Sequence, residues 1–287
     1  MLPPDWRIKF CKMLNSEIPK TFARLHWTAV CFAWWMAALG AGAEDRPAGD
    51  LAPPAPGPDY SRYEQGRYVY ERNCVVCHGP RGDGHGEMAA SLGVKPRSFK
   101  TGLFKYRSTP WGKLPTTEDL QRTVRNGVTG TAMGMFTFLG DSDLRAVTEY
   151  IKFFSRKWRK AENYAPPIKM PPEPAWFADG AERERHAGAG KQTFQSTCAA
   201  CHGAGGDGKG PAAAALKDDA GEPAQPADLR QAHLRNGDDP GDIFRVLVTG
   251  LNGTPMASFA DSLSERQKWD LAAYILTLRR DFSEAGK

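Results

Sequence analysis

A motif of cysteine and histidine occurs twice in this chain, 124 residues apart, and it limits the folds that the chain can adopt. The first copy is Cys74-Val75-Val76-Cys77-His78-Gly79, and the second is Cys198-Ala199-Ala200-Cys201-His202-Gly203. Two other motifs repeat at almost the same offset: Gly82-Asp83-Gly84 with Gly206-Asp207-Gly208, and Gly130-Thr131-Ala132-Met133 with Gly253-Thr254-Pro255-Met256. The pattern indicates a tandem duplication of one unit of about 100 residues, because solenoid repeats are shorter and more numerous.

The two copies predict the same order of helices. In each copy a first helix leads into the cysteine motif, and a middle helix is predicted over 117–126 and over 240–249. A last helix is predicted over 141–156 and over 263–279, since apolar residues there recur at spacings of three and four. Strand-like alternation is scarce throughout, so both copies are expected to be nearly all α.

The N-terminus predicts export from the cytoplasm. Within residues 1–43, basic side chains precede an apolar stretch from Trp27 to Leu39, and the segment ends in Ala41-Gly42-Ala43. This order is typical of a secretory signal peptide cleaved after Ala43, which places the mature protein in the periplasm. The alternative is an uncleaved membrane anchor over residues 27–43, although the apolar run is shorter than the ~20 residues of a spanning helix.

Proline and glycine mark the boundaries of the remaining chain. A leader rich in both is predicted over 44–59, and a proline-rich extended linker over 161–184. These segments delimit a first domain at 60–160 and a second at 185–287. The composition, 41% hydrophobic and 25% charged, is that of a globular protein and excludes a multispanning membrane protein. A net charge of +5 from 38 basic and 33 acidic residues gives no indication of a nucleic-acid partner.

The spacing within the motif indicates its chemistry. Cys74 lies three residues before Cys77 and four before His78, so on a helix the three side chains share one face. Two thiols can then bond covalently to the two vinyl groups of a haem while the adjacent imidazole reaches the iron. The motif is therefore typical of c-type haem attachment, and its repetition predicts two haem c groups.

Other uses of these cysteines fit the sequence less well. A thioredoxin-like redox pair needs a βαβ setting, which the helical pattern does not provide. A four-cysteine zinc site uses pairs about 15–20 residues apart, far closer than the two pairs here. Disulfides would leave the two repeated histidines unexplained. The other two cysteines, Cys11 and Cys31, lie in the predicted signal peptide.

With these motifs the chain resembles the dihaem c-type cytochromes, which carry tandem class I cytochrome c domains. The resemblance covers about residues 60–160 and 185–287 and includes both Gly-x-Thr-x-Met-like loops. It implies a mainly α fold of two tandem helical domains, each wrapped around one covalently bound haem. It also implies that Met133 and Met256 are the sixth iron ligands, with Met135 as a competitor of Met133.

The resemblance implies further residues around each haem. In the family a proline carbonyl accepts the second N–H of the ligating histidine, which implies Pro96 and Pro226 here. Side-chain chemistry adds Arg107 and Arg235 as partners of the haem propionates or plain surface residues, and Trp111 and Trp269 as neighbours of the haem edges or core residues. His85 and His233 are alternative iron ligands, but each lacks a counterpart in the other copy, so we expect them to be solvated loop residues.

Histidine and methionine on opposite sides of each iron would leave no open position, so the predicted function is electron transfer. We expect redox proteins as donor and acceptor, with no small-molecule substrate. The segments 104–110 and 114–120 resemble cytochrome subunits of respiratory complexes, so a membrane respiratory complex is a candidate partner. The alternatives are a dihaem enzyme, such as a peroxidase or a sulfur-compound oxidoreductase, and a gas-binding or redox sensor. Both require an iron with a labile or absent sixth ligand.

Overall fold

A computed structural model describes residues 57–235 and 237–285 of the chain, and these fold into two copies of one four-helix order. The helices are α1 Tyr63–Asn73, α2 Val75–His78, α3 Thr117–Asn126, α4 Asp141–Lys152, α5 Gly180–Thr197, α6 Ala199–His202, α7 Pro240–Thr249 and α8 Glu265–Ala285. Short 3₁₀ helices lie at Tyr60–Arg62, Ala89–Ser91, Arg156–Arg159, Ala161–Asn163, Ala175–Ala178 and Ala213–Ala215. In this part of the chain the only β pairing is an isolated bridge between Lys217 and Pro223. The mainly α prediction is confirmed.

The predicted signal peptide and most of the predicted leader lie outside the described residues. Among the helices that are described, none combines the length and the apolar character needed to cross a bilayer.

Local capping signals set the bounds of the middle helices. The side chain of Thr116 accepts a hydrogen bond from Asp119 N at 3.1 Å, and the Asp119 carboxylate accepts one from Thr116 N at 3.0 Å. This capping box starts α3 at Thr117, while Pro240 occupies the first turn of α7. Both middle helices therefore have the bounds predicted from the sequence.

The last helix of the first copy is shorter than predicted. Helix α4 ends at Lys152, and Ser155 then caps a 3₁₀ turn that buries Trp158, whose side chain is only 1% exposed. The chain leaves the helix here because burying this indole removes a large apolar surface from water. In the second copy the last helix begins at Glu265, two residues later than predicted, and extends to Ala285.

Each copy has its own apolar core, formed where its first and last helices pack together. The first core contains Tyr70, Phe99, Val147 and Ile151, and Cys74 packs against it. The second core contains Phe194, Phe244, Trp269, Leu271 and Ile275, and Cys198 and Met256 pack against it. Because the cysteine motifs lie beside these cores, the helix packing determines where each candidate site is built.

A glycine at each helix crossing allows this close packing. Gly66 of α1 lies against the main chain of α4 at Ala146, and Gly190 of α5 lies against the main chain of α8 at Asp270. A methyl group on either glycine would overlap the facing carbonyl oxygen. Both glycines are eight residues before the first cysteine of their motif, so the crossing sets the distance from the core to the site.

These crossings can be tested with two glycines of the same helix. Gly190→Ala is expected to lower the free energy of unfolding by about 1–3 kcal/mol, because the methyl group has no space. Gly188, which is exposed with nothing within 4 Å of an added methyl group, is the matched control. Gly188→Ala is expected to be neutral or to stabilise by up to about 1 kcal/mol through helix propensity. Denaturant titration of both variants measures this, and equal values would contradict the crossing.

Candidate haem sites

The cysteine motif forms one helical turn in each copy. His78 N donates to Cys74 O at 2.8 Å, and His202 N donates to Cys198 O at 2.9 Å. The turn places the two cysteines and the histidine of each motif on neighbouring positions of one helical surface. None of the four motif cysteines is paired in a disulfide within the described residues, and all four are half-buried. Each turn could therefore present two thiols and one imidazole to the same planar group.

A main-chain carbonyl orients each histidine. His78 Nδ1 lies 3.0 Å from Arg97 O, and His202 Nδ1 lies 3.1 Å from Ala227 O. Since a carbonyl can only accept, the hydrogen sits on Nδ1 and the lone pair sits on Nε2. Burial lowers the pKa of both histidines, which favours the neutral imidazole. A neutral ring with a free Nε2 and an anchored Nδ1 is the form that ligates a metal.

The carbonyls that accept these hydrogen bonds differ by one residue from the prediction of Pro96 and Pro226. The carbonyls of both prolines point instead at the Gly-Asp-Gly turns, where a Cβ on Gly84 or Gly208 would lie 2.6 Å from the proline oxygen. The next carbonyl along the chain then faces the histidine. The predicted acceptors are therefore wrong, and the prolines pack beside the site.

The methionine loops have the same hydrogen bonds in both copies. Val128 N donates to Met133 O and Leu251 N donates to Met256 O, each at 2.9 Å. In each loop the threonine two residues before the methionine accepts from the methionine N, at 3.1 Å in the first copy and 3.2 Å in the second. Met133 and Met256 are both half-buried, whereas Met135 is 69% exposed. Met133 is thus the structural counterpart of Met256.

The thiols do not have the properties of redox-active cysteines. Burial raises the pKa of Cys74 to about 12 and that of Cys198 to about 11. Cysteines that exchange disulfides or bind metals as thiolates have a lowered pKa, typically in a positive environment. The pKa of Cys74 and of Cys198 is shifted in the opposite direction, which argues against the thioredoxin-like alternative.

The predicted propionate partner Arg107 is occupied elsewhere. Its guanidinium donates to the carbonyls of Lys105, Pro110, Thr249 and Gly250, and the residue is 1% exposed. The predicted contact of Arg107 with a haem propionate is therefore wrong. The sequence did not indicate the observed partners, because the carbonyls of Thr249 and Gly250 belong to the other copy, more than 140 residues away along the chain.

The other weak candidates divide between surface and core. Both alternative ligands are surface side chains: that of His85 is 86% exposed, and that of His233 is 67% exposed and lies beside Asp238. Trp111 is 44% exposed, and Trp269 is buried and stacks on Phe244 at 4.3 Å between ring centroids.

One tryptophan in each copy has an unpaired buried donor, and of the two only Trp269 was predicted from the sequence to lie near a haem. Trp158 in the first copy and Trp269 in the second have buried indole Nε1 atoms without a hydrogen-bond partner among the described residues. Buried donors are normally satisfied, so each domain fits a group that brings an acceptor, such as a haem carboxylate. The two tryptophans are not repeat counterparts, so the duplication gives no signal for them.

Comparison with known proteins agrees with this geometry. The family model described as cytochrome c matches residues 187–279, and the model described as cytochrome c oxidase, cbb3-type, subunit III matches residues 61–151. Each matched range contains one complete cysteine motif and one methionine loop.

Segments of two known proteins also match most of this chain. A nicotinate dehydrogenase subunit of Pseudomonas putida is 25% identical over 75% of this chain, and the Cbb3-type cytochrome c oxidase subunit CcoP of an Azospirillum species is 25% identical over 74%. The chain spans only 18% and 61% of the lengths of these two relatives.

Among solved structures, a chain of the reducing HAO-like protein complex of Kuenenia stuttgartiensis matches with a TM-score of 0.69 and 36% identity. The match covers 75% of this chain and 96% of that one. The tandem helical domains, the two cysteine motifs and these matches together show that the chain belongs to the dihaem c-type cytochromes, electron-transfer proteins with two covalently bound haem c groups.

Proposed function

We propose that this protein is a periplasmic cytochrome that relays single electrons between redox proteins of a respiratory chain. Cys74 and Cys77 attach the first haem, and His78 and Met133 ligate its iron. The residues with the same roles in the second domain are Cys198, Cys201, His202 and Met256. The observation that carries the proposal is that both copies combine a histidine anchored through Nδ1 with a methionine in the same hydrogen-bonded loop.

The protein residues set the behaviour of the haems, which supply a reversible one-electron couple. The anchored histidines would present the unprotonated Nε2 of a neutral ring as an iron ligand. Thioether ligands from Met133 and Met256 would raise the potential of each haem. With a histidine and a methionine as protein ligands, neither iron would offer an open position to a substrate.

The relatives support redox proteins as partners. Their names describe components of a dehydrogenase and of an oxidase, and the structural relative belongs to a protein complex. We infer that one redox protein donates electrons to this cytochrome and another accepts them, with a membrane respiratory complex as the leading candidate.

A second function, that of a dihaem oxidoreductase, is favoured by one observation on the first domain. Thr129, Gly130 and Ala132, which precede Met133 in its loop, are all exposed to solvent. An exposed loop opens more easily than a buried one, and a displaced Met133 would leave an open position on the first iron. The structural relative from the HAO-like complex is consistent with this candidate.

The ligands can be assigned one at a time by the near-infrared band of methionine bound to ferric haem. We expect Met133→Ala and Met256→Ala each to remove about half of its intensity, because each variant loses one of two iron–sulfur bonds. Met135→Ala is the matched control and is expected to leave the band unchanged. Loss of half the band in Met135→Ala, with none in Met133→Ala, would reassign the first ligand.

The number of haems and the processing of the chain can be measured together. A pyridine haemochrome assay is expected to give two haems per chain, and replacing Cys74 and Cys77 by serine is expected to leave one. Intact mass is expected to show the loss of residues 1–43. A single haem in the parent protein would contradict the assignment, and a mass that includes residues 1–43 would favour the membrane anchor.

Carbon monoxide separates the two candidate functions. An electron carrier with both irons six-coordinate is expected to bind it only slowly, as the methionine is displaced. If the reduced parent protein binds one equivalent of carbon monoxide as rapidly as Met133→Ala does, the result would instead support the oxidoreductase.

A further inference from the structure

The two methionine loops have different surroundings. We call residues 127–133 the first loop and residues 250–256 the second loop. In the second loop Gly250, Asn252 and Gly253 are buried. Their counterparts in the first loop, at positions 127, 129 and 130, are half-buried, exposed and exposed. All of these residues belong to one compact unit. Within it, residues of the first domain contact the second loop.

Arg107 of the first domain holds the start of the second loop. Its guanidinium donates to Thr249 O and, at 3.2 Å, to Gly250 O. Carbonyls at a helix C-terminus lack hydrogen-bond donors inside the helix and carry partial negative charge. A guanidinium there supplies the donors and a compensating positive charge. Arg107 also donates to Pro110 O of its own domain, and this hydrogen bond helps to orient the guanidinium toward the second loop.

Asn252 holds the middle of the same loop. Its Oδ1 accepts from Gly112 N at 3.0 Å, and its Nδ2 donates to Lys113 O at 3.2 Å. The side chain is 1% exposed, so both hydrogen bonds are shielded from water. The first loop has Thr129 at this position, and that residue is exposed.

Two glycines complete the contact. The Trp111 ring lies so close to Gly250 that a Cβ on this glycine would be 2.6 Å from the indole. A Cβ on Gly253 would be 3.2 Å from the Arg97 guanidinium. Arg97 is also the residue whose carbonyl anchors His78. The segment that orients the first histidine therefore also packs on the loop of the second methionine.

We propose that Arg107 and Asn252 form a clamp by which the first domain holds Met256 on the second iron, and that Met133 has no such clamp. They are positioning residues, since they act through the loop. The proposal rests on the ligation of the second iron by Met256. An external ligand can replace a methionine only after its loop opens, and opening the second loop breaks these buried hydrogen bonds. The second iron should therefore exchange its sulfur ligand more slowly than the first.

Imidazole binding to the full-length ferric holoprotein tests the clamp. We expect two kinetic phases, assigned by their loss in Met133→Ala and Met256→Ala, with the slower phase at the second haem. Asn252→Ala is expected to accelerate this phase about tenfold, as the loss of shielded hydrogen bonds implies. The fast phase of the first haem is expected to stay unchanged. Thr129→Ala, at the matching position of the first loop, is the control and should leave both phases unchanged.

Arg107→Lys is a second and milder variant, since lysine keeps the charge but loses the planar fork. It is expected to accelerate the slow phase alone. If both variants leave the slow phase within about twofold of the parent, or accelerate both phases equally, the clamp is overturned. The proposed ligation fails separately, if Met256→Ala keeps the full near-infrared band in a protein whose clamp is intact.

Discussion

Each haem site depends on one hydrogen bond, from a histidine Nδ1 to a main-chain carbonyl. It sets the tautomer and the plane of the imidazole, and both must be right before Nε2 can face an iron. The carbonyl is in place because the loop beyond the cysteine motif folds back tightly on Gly84 or Gly208, each with φ near the left-handed region. The motif turn is in place because Gly66 or Gly190 lets two helices meet.

The two domains are copies of one unit, and the contact between them makes the surroundings of their methionine loops different. The histidine anchor and the methionine loop have equivalent hydrogen bonds in the two copies. Arg107 and Asn252 add hydrogen bonds between the copies, and in the described part of the chain these bonds are made at the second methionine loop. Buried contacts between the domains hold the two haem sites in one orientation, which would suit the proposed relay of electrons. The same contacts give the two methionine loops different surroundings.

Local signals in the sequence were sufficient for the middle helices and the motif, but not for the bounds of the last helix in either copy. The bounds of α3 and α7 follow from caps and periodicity. The cysteine motif determines the cofactor because its spacing of three and four residues places two thiols and an imidazole on one helix face. The acceptor carbonyl was misplaced at Pro96, since the direction of a peptide plane in a loop is set by packing. Arg107 and Trp158 were misjudged or missed because their surroundings come from distant parts of the chain, and no repeat marks them.

We propose that both irons are six-coordinate and exchange electrons without exchanging ligands. Spectroelectrochemical titration of the full-length protein measures this directly, with optical spectra recorded through complete reduction and reoxidation. We expect two reversible one-electron transitions, with both haems low-spin in each oxidation state. A high-spin spectrum for half of the haem, in either state, would contradict it.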